Sequence, residues 1–294
     1  MRKIRQCLND EEGQRFLCDY LKEKITIGIT TKDRVREVRE TLLILAGSEL
    51  RHCKIIVIDD GSGGEFISED EYELDLTIIR YAMSKRQMAR RNEICKLCNT
   101  KFYLSLDDDS APLHGSMVNI ISKFDDDPRI ATVAFTITEN SDFEFEPGCD
   151  FDCRSFVACG NMHRVDIFNS LGGYLTNLQY GYEETAYAFM LYAAGYKIVH
   201  TSDLVVYHRF SPINRTFGFN KHSLYSQGYV EATYLPPVAF VTELLKVIKN
   251  YFRIKTLFLA LCYYFYGALS VKKREVITYS TYRKWVKLQG PSIS

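Results

Sequence analysis

Three consecutive carboxylates, Asp107-Asp108-Asp109, close the run Lys101-Phe-Tyr-Leu-Ser-Leu106, and Ser110-Ala-Pro112 follows them. A strand-like apolar run that delivers three acids to one point is costly unless a cation or another positive group offsets their repulsion. Two carboxylates completed by water and diphosphate oxygens suit Mn²⁺ or Mg²⁺, hard ions that keep few protein ligands. The competing reading is a solvated acidic turn. Asp125-Asp-Asp127 is one of those, since it follows the helix-like stretch Met117 to Phe124 and precedes Pro128. A second acidic pair, Glu183-Glu184, opens another helix-like stretch, where carboxylates also favour the N-terminus for electrostatic reasons alone. His208 follows a short apolar run, and such histidines are usually structural.

The elements that must position these groups alternate. Ile25 to Thr30 and Lys54 to Ile58 are short β-rich runs, and Asp75 to Tyr81 and Lys101 to Leu106 read the same way. Helical patterns over Arg34 to Ala46, Arg86 to Asn99 and Tyr182 to Ala194 lie between or after them, the last stopped by Gly195. This alternation predicts an α/β fold around a mostly parallel sheet. Ile130 to Thr138, Ser155 to Cys159 and Leu204 to Tyr207 are expected as further strands. In such a sheet ligands bind beyond the carboxyl ends of the strands. Thr30, Thr31 and Asp33 fall at that edge after the first strand, Asp59 and Asp60 after the second, and Asp107 to Asp109 after the fourth. Arg86, Arg90 and Arg91 begin the helix leading into the fourth strand. Acids for base or ribose, arginine for phosphate and an acid pair for metal together describe a nucleotide-diphosphate pocket.

Bulk properties narrow the class. The 294 residues carry 37 basic and 37 acidic side chains, so no global field attracts nucleic acid. Nine cysteines is an odd number, and the charged opening Met1-Arg-Lys-Ile-Arg-Gln is not a secretory signal, which points to cytosolic thiols. Cys95-Lys-Leu-Cys98 has zinc-like spacing, but its only available partner pair, Cys149 and Cys153, is spaced differently, so buried thiols are the expectation. Residues 256–271 are uncharged, and Arg253, Lys255 and Lys272-Lys-Arg274 flank them. Sixteen residues fall short of the roughly 20 that span a bilayer, so residues 253–274 are expected to lie on a membrane interface or to pack as a buried helix.

Five motifs carry a family resemblance: Ile27-Gly-Ile-Thr-Thr-Lys-Asp-Arg34, Val57-Ile-Asp-Asp-Gly-Ser62, Ala89-Arg-Arg-Asn92, Leu106-Asp-Asp-Asp109, and Gly181-Tyr-Glu-Glu-Thr-Ala186 with Ala194-Gly-Tyr196 behind it. Over about residues 24 to 210 the chain resembles a family 2 glycosyltransferase, with the Rossmann-like nucleotide-diphospho-sugar transferase (GT-A) fold. The resemblance implies an N-terminal extension at 1–23, a catalytic domain at 24–215 and a C-terminal helical, membrane-associating region at 216–294. It implies a metal-dependent transferase that inverts the anomeric carbon, taking a nucleotide-diphosphate sugar, by family habit a UDP-sugar, to a hydroxyl of a glycan or lipid-linked acceptor. Work in polysaccharide or cell-envelope biosynthesis, in the cytoplasm and peripherally on the inner membrane face, would follow.

Roles then transfer by position. Thr30, Asp33 and Asp59 or Asp60 would hold the nucleoside, and Arg86 would reach base or diphosphate. Asp107 and Asp108 would face the donor, and Asp107 and Asp109 would hold the metal with His208. Glu184 stands at the family's general base, with Glu183 beside it as a competitor or acceptor contact. Phe156 to Met162 resembles the floor of the acceptor site, through Gly160 and Asn161. Two positions depart from the pattern: the base is glutamate where aspartate is usual, and Met190 stands where the family often has arginine. Two other functions compete. A sugar nucleotidyltransferase would carry a glycine-rich loop after the first strand, where this chain has Thr30-Thr-Lys-Asp-Arg34. A non-catalytic nucleotide-sugar-binding scaffold would lack part of the chemistry, and no part is missing.

Overall fold

The computed structural model describes residues 11–144, 146–210, 220–252 and 254–291. Helix α1 (Glu11–Lys24) leads directly into β1 (Ile25–Thr31), all seven residues of which are buried. That burial explains an apolar run without alternation, because helices cover both faces of the strand. Helix α2 (Val35–Ala46), β2 (Lys54–Asp59), β3 (Leu76–Arg80), α3 (Gln87–Leu97) and β4 (Phe102–Asp107) continue the alternation. They lay down four parallel strands in the order β3-β2-β1-β4. Gly28 is required in β1 because a Cβ there would lie 2.5 Å from the Ile94 and Tyr103 side chains, so α3 sits tightly on the sheet. Helix α1 adds Leu17 and Leu21 to the same core, a docking the sequence reading left open.

Beyond β4 the strand directions mix. Strand β5 (Ser110–Gly115), helix α4 (Met117–Asp126), β6 (Ile130–Thr138), β7 (Asp150–Cys153), β8 (Gly160–Arg164), α5 (Val165–Ser170), α6 (Glu183–Ala193) and β9 (Lys197–His208) complete the α/β body. The sheet extends as β4-β8-β6-β9-β5, with β7 on β9. Strand β8 is antiparallel to β4 and β6, and β6 is parallel to β9. The expected strand over Ser155 to Cys159 is instead a connection between β7 and β8, and the last strand is 12 residues long, beginning at Lys197 rather than Leu204. The connection forms because Phe156 turns inward against His163 and Tyr187, while the Ala158 carbonyl turns to accept from Arg91. Strand β5 pairs with β9 and brings Ser110 opposite His208.

The C-terminal helices are α7 (Lys221–Tyr234), α8 (Pro237–Asn250), α9 (Ile254–Leu269) and α10 (Tyr279–Val286). Helices α7 and α9 cross at two glycines. A Cβ at Gly228 would lie 1.9 Å from the Tyr264 carbonyl oxygen, and one at Gly267 would lie 1.9 Å from that of Tyr225. Helix α10 returns to the body, where Trp285 packs on Phe189 of α6 at 4.6 Å and its indole N–H donates to the Arg154 carbonyl at 2.7 Å. No described helix is long and apolar enough to cross a membrane. Arg253 and the side chain of Lys255 lie outside the described residues, as do residues 1–10 and 211–219.

Candidate active site

Strand register gathers the predicted residues along one edge. Thr30 is opposite Asp107, and Thr31 is opposite Asp59. The three acids after β4 then take three different environments. Asp107 keeps part of its surface open and accepts from the Arg91 guanidinium and, at 2.9 Å, from the Gln87 amide. Asp108 is buried, accepting from the Thr31 hydroxyl at 2.7 Å with Arg34 3.3 Å away. Burial and its two acidic neighbours push the Asp108 carboxyl up to about 7, against the pull of Arg34. Asp109 is fully buried, ion-paired to Arg34, with His208 Nε2 3.3 Å from it. Burial opposes its ionisation, but hydrogen bonds from His208 and Arg34 outweigh that and hold the carboxyl well below the usual range.

On the nucleoside side the expected contacts divide. Asp33 is exposed, and its carboxylate accepts from the Gly63 amide at 3.1 Å, while its own N–H donates to Ser62 Oγ. These two bonds tie the loop after β1 to the loop after β2. Asp59 is buried, accepting from the Ser62 amide at 2.9 Å and from Arg80 at 2.9 Å. Asp60 is buried as well, and it accepts from Ser84, the Lys85 and Arg86 amides, and Arg90. Burial alone would raise the Asp60 carboxyl, yet these donors lower it. Both acids therefore shape the pocket's loops from within, and Asp33 is the one that faces solvent. Thr30 Oγ1 is buried with no hydrogen-bond partner among the described residues.

Arg86 is exposed and donates to the Leu178 carbonyl at 3.0 Å. It lines a cleft of about 220 Å³ with Gln87, Leu178, Gln179, Tyr180 and Glu183. Glu183 and Glu184 occupy the first turn of α6 and are both half-buried. Burial, then the charge of Glu183, pushes the Glu184 carboxyl up to about 7, with Arg91 pulling it down and Asp107 adding to the rise. Burial raises Glu183 too.

Among the described residues, three non-glycine residues have left-handed backbone: Asp33 (φ 56°), Arg86 (φ 72°) and Tyr182 (φ 68°). Each immediately precedes or lies one residue from a helix start at this edge, and such conformations, costing about 1–3 kcal/mol each, persist where surrounding structure imposes them. They aim the pocket loop after β1, the start of α3 and the start of α6 toward one space.

Gly160 and Asn161 lie beneath the site. A Cβ at Gly160 would meet Ile137 at 2.5 Å and Val206 at 3.2 Å, so sheet packing demands the glycine. The Asn161 amide donates to the Val157 and Ala158 carbonyls and holds the connection after β7 in place. Both residues are buried, so the expected acceptor contacts at Gly160 and Asn161 lie within the sheet packing and not on a surface.

Among the described residues, one group of three metal-ligating side chain types lies at this edge. A carboxylate oxygen of Asp107, a ring nitrogen of His208 and the Cys159 sulfur lie within 4.8 Å of one another. Asp109 stands behind His208, committed to that ring and to Arg34. Sequence reasoning missed three participants here. Arg34 pairs with acids some 75 positions away, although its place directly after Asp33 marked it. Arg91 reads in the sequence, with Arg86 and Arg90, as arginine for phosphate, whereas it is buried against Asp107 and the Ala158 carbonyl, and Cys159 reads only as a thiol. Cys95 and Cys98 are both buried, apart from this group.

The profile of Glycosyl transferase family 2 matches residues 26–190. No curated protein matches the chain. Among solved structures, the mannosyltransferase PcManGT from Pyrobaculum calidifontis, in complex with GDP-Man and Mn²⁺, is similar with a TM-score of 0.58 and 12% identity, over 90% of this chain and 78% of that one. S. aureus TarS 1-349 in complex with UDP-GlcNAc has a TM-score of 0.56 and 14% identity, over 70% and 65%. GalNAc-T7 with UDP, GalNAc and Mn²⁺ has a TM-score of 0.58 and 15% identity, over 72% and 48%, so the chain spans about half the length of that protein. At these identities the likeness is one of fold.

Proposed function

The chain belongs to glycosyl transferase family 2 and has the GT-A fold, and we propose that it transfers a sugar, with inversion, from a nucleotide-diphosphate donor to a hydroxyl of a glycan or lipid-linked acceptor. A UDP-sugar is the donor this reading favours. The observation that carries it is the strand register, which sets Thr30 opposite Asp107 and Thr31 opposite Asp59 and so gathers acids from β1, β2 and β4 at one sheet edge. Glu184, at the start of α6, is a carboxylate on a separate element, as displacement at an anomeric carbon requires of a base.

In this account the exposed Asp33 and the loops it joins hold the nucleoside, with Thr30 and the buried Asp59 and Asp60 shaping that pocket. Arg86 meets base or diphosphate from the cleft wall. Asp107 and His208 hold Mn²⁺ or Mg²⁺, while Asp109 joins them only if Arg34 yields and otherwise orients the His208 ring. A bound cation supplies neutralisation of charge on the leaving diphosphate. Glu184 accepts the acceptor hydroxyl's proton, and a carboxyl near 7 is well matched to that task at neutral pH. Glu183 lines the acceptor side.

Helices α8 and α9 support membrane-surface contact on the cytoplasmic face. Val238, Val241 and Leu245 on α8 and Phe258, Phe265 and Leu269 on α9 are exposed, with Lys246, Lys249, Lys272 and Lys273 exposed nearby in the chain. Apolar residues bordered by lysine suit an anionic bilayer surface. The transferase reading is tested by product analysis: the anomeric configuration of the transferred sugar, read by NMR, must be opposite to that of the donor, and Glu184→Gln must slow transfer by about 10²-fold or more.

A further inference from the structure

We propose that Cys159 is a ligand at the cation position, making it a mixed carboxylate–imidazole–thiolate site that takes Zn²⁺, Co²⁺ or Cd²⁺ more tightly than Mn²⁺ or Mg²⁺. This rests on the cation reading above and changes its donor set. Among the described residues, Asp107, Cys159 and His208 form the one group of at least three such side chains whose donor atoms lie within 4.8 Å of one another. The three come from separate segments: the end of β4, the turn before β8 and the end of β9.

Their placement is built from several sides. The Ser110 hydroxyl donates to the Cys159 carbonyl at 2.7 Å and accepts from the Asp107 amide at 2.8 Å, so one side chain fixes two ligand-bearing residues. Gly160, wedged against Ile137 and Val206, fixes the other side of Cys159. Asp109 lies 3.3 Å from His208 Nε2 and steadies the ring. Asp107 is steadied by Arg91 and Gln87.

Ligand lengths of about 2.3 Å to sulfur and about 2.0–2.2 Å to nitrogen and oxygen put donors around a tetrahedral ion roughly 3.5 Å apart. The donor atoms, within 4.8 Å of one another, therefore close by at most about 1.3 Å when an ion enters. Oxygen-only sites suit Mg²⁺ and Mn²⁺, and a sulfur donor moves preference toward Zn²⁺, Co²⁺ and Cd²⁺. Binding through sulfur exchanges the thiol proton for the metal: one S–H bond breaks, one metal–sulfur bond forms, and one proton leaves per ion. No oxidation is involved.

The test is a Co²⁺ titration of the full chain, alone and with UDP, read by absorption. The expected result is a near-ultraviolet thiolate-to-cobalt band saturating at one ion per chain. It must vanish in Cys159→Ser and survive in Cys149→Ser and Cys262→Ser, which change the two cysteines exposed among the described residues. Competition with Cd²⁺ should show the Cd²⁺-over-Mn²⁺ preference falling at least about tenfold in Cys159→Ser. If Cys159→Ser does not fold, the cadmium NMR shift of the wild type reports sulfur ligation directly. Cobalt bands that depend on Asp107 but lack any thiolate transition would overturn the role of Cys159 and leave the cation reading standing. Absence of any cation binding sensitive to Asp107→Asn would overturn both.

Discussion

Arg91 reaches Asp107 from beneath, with only 1% of its side chain exposed, and its other terminal nitrogen donates to the Ala158 carbonyl at 3.0 Å. One buried cation thus fixes the first acid of the triplet and the connection that carries Cys159. Burial disfavours the charged guanidinium, but Asp107 together with Tyr174, Tyr103 and Glu184 outweighs it, so Arg91 remains ionised. The pair sets where the acid points, and Glu184 lies within its electrostatic reach.

Removing Arg91 should therefore be felt in stability and in chemistry. Breaking a buried ion pair from one side typically costs about 3–5 kcal/mol. Arg91→Met is expected to lower urea-unfolding stability by roughly that amount and to depress turnover by at least about tenfold. Arg91→Lys should recover part of the stability and little of the turnover, since it cannot bond Asp107 and Ala158 together. Equal turnover in all three proteins would contradict this role.

Glu184 predicts a pH dependence. Its carboxyl, raised to about 7, must be ionised to accept a proton, so kcat/KM should rise with pH through that region and flatten above it. Glu184→Gln should lose about 10²–10⁴-fold in turnover and leave no residual rise of that origin. Stability runs the other way. Between the ordinary glutamate range and about 7 the native protein keeps a proton that the unfolded chain has released, so this group's contribution falls as pH rises. After allowance for its partial exposure, Glu184→Gln should be more stable than wild type at neutral pH by about 1–2 kcal/mol and indistinguishable in acid.

Much of this arrangement is legible in the sequence, and the division has a physical basis. The β-rich runs, the helices between them and the acids at strand ends are local patterns, and a parallel sheet brings strand ends to one edge. What a carboxylate does once there depends on partners far along the chain. Asp59 and Asp60 read as nucleoside contacts, yet Arg80, Ser84 and Arg90 engage them internally. Asp109 reads as a metal ligand, and nothing local announces Arg34 as its partner. The role of Cys159 depends on the closure of β8 and β9 around it. The helical tail was visible as composition; its attachment through Trp285 and two glycines was not.

That attachment supplies another prediction. Gly228→Leu and Gly267→Leu each drive a side chain into the backbone of the opposing helix. Overpacking of this kind typically costs about 1–3 kcal/mol, and here backbone must move. Both variants should open the α7–α9 crossing to limited proteolysis, while a Gly63→Ala control, with open space around it, should not. Wild-type protection in the glycine variants would show that the crossing is not close.

Membrane contact is separable from chemistry. Leu245→Asp with Phe258→Asp should reduce sedimentation with anionic phosphatidylglycerol vesicles several-fold and leave hydrolysis of a soluble donor unchanged. Salt should weaken wild-type binding, because the lysine contribution is screened. Unchanged sedimentation in the double variant would remove α8 and α9 from the membrane account.

The most direct measurement is calorimetric binding of UDP-, GDP- and dTDP-sugars, with and without Mn²⁺, to wild type and Asp107→Asn. The account predicts that one nucleotide class binds, that Mn²⁺ strengthens it at least tenfold by about 1.4 kcal/mol or more, and that Asp107→Asn abolishes the gain. Failure of every donor to bind the folded wild type, or a Mn²⁺ effect that survives in Asp107→Asn, would contradict it.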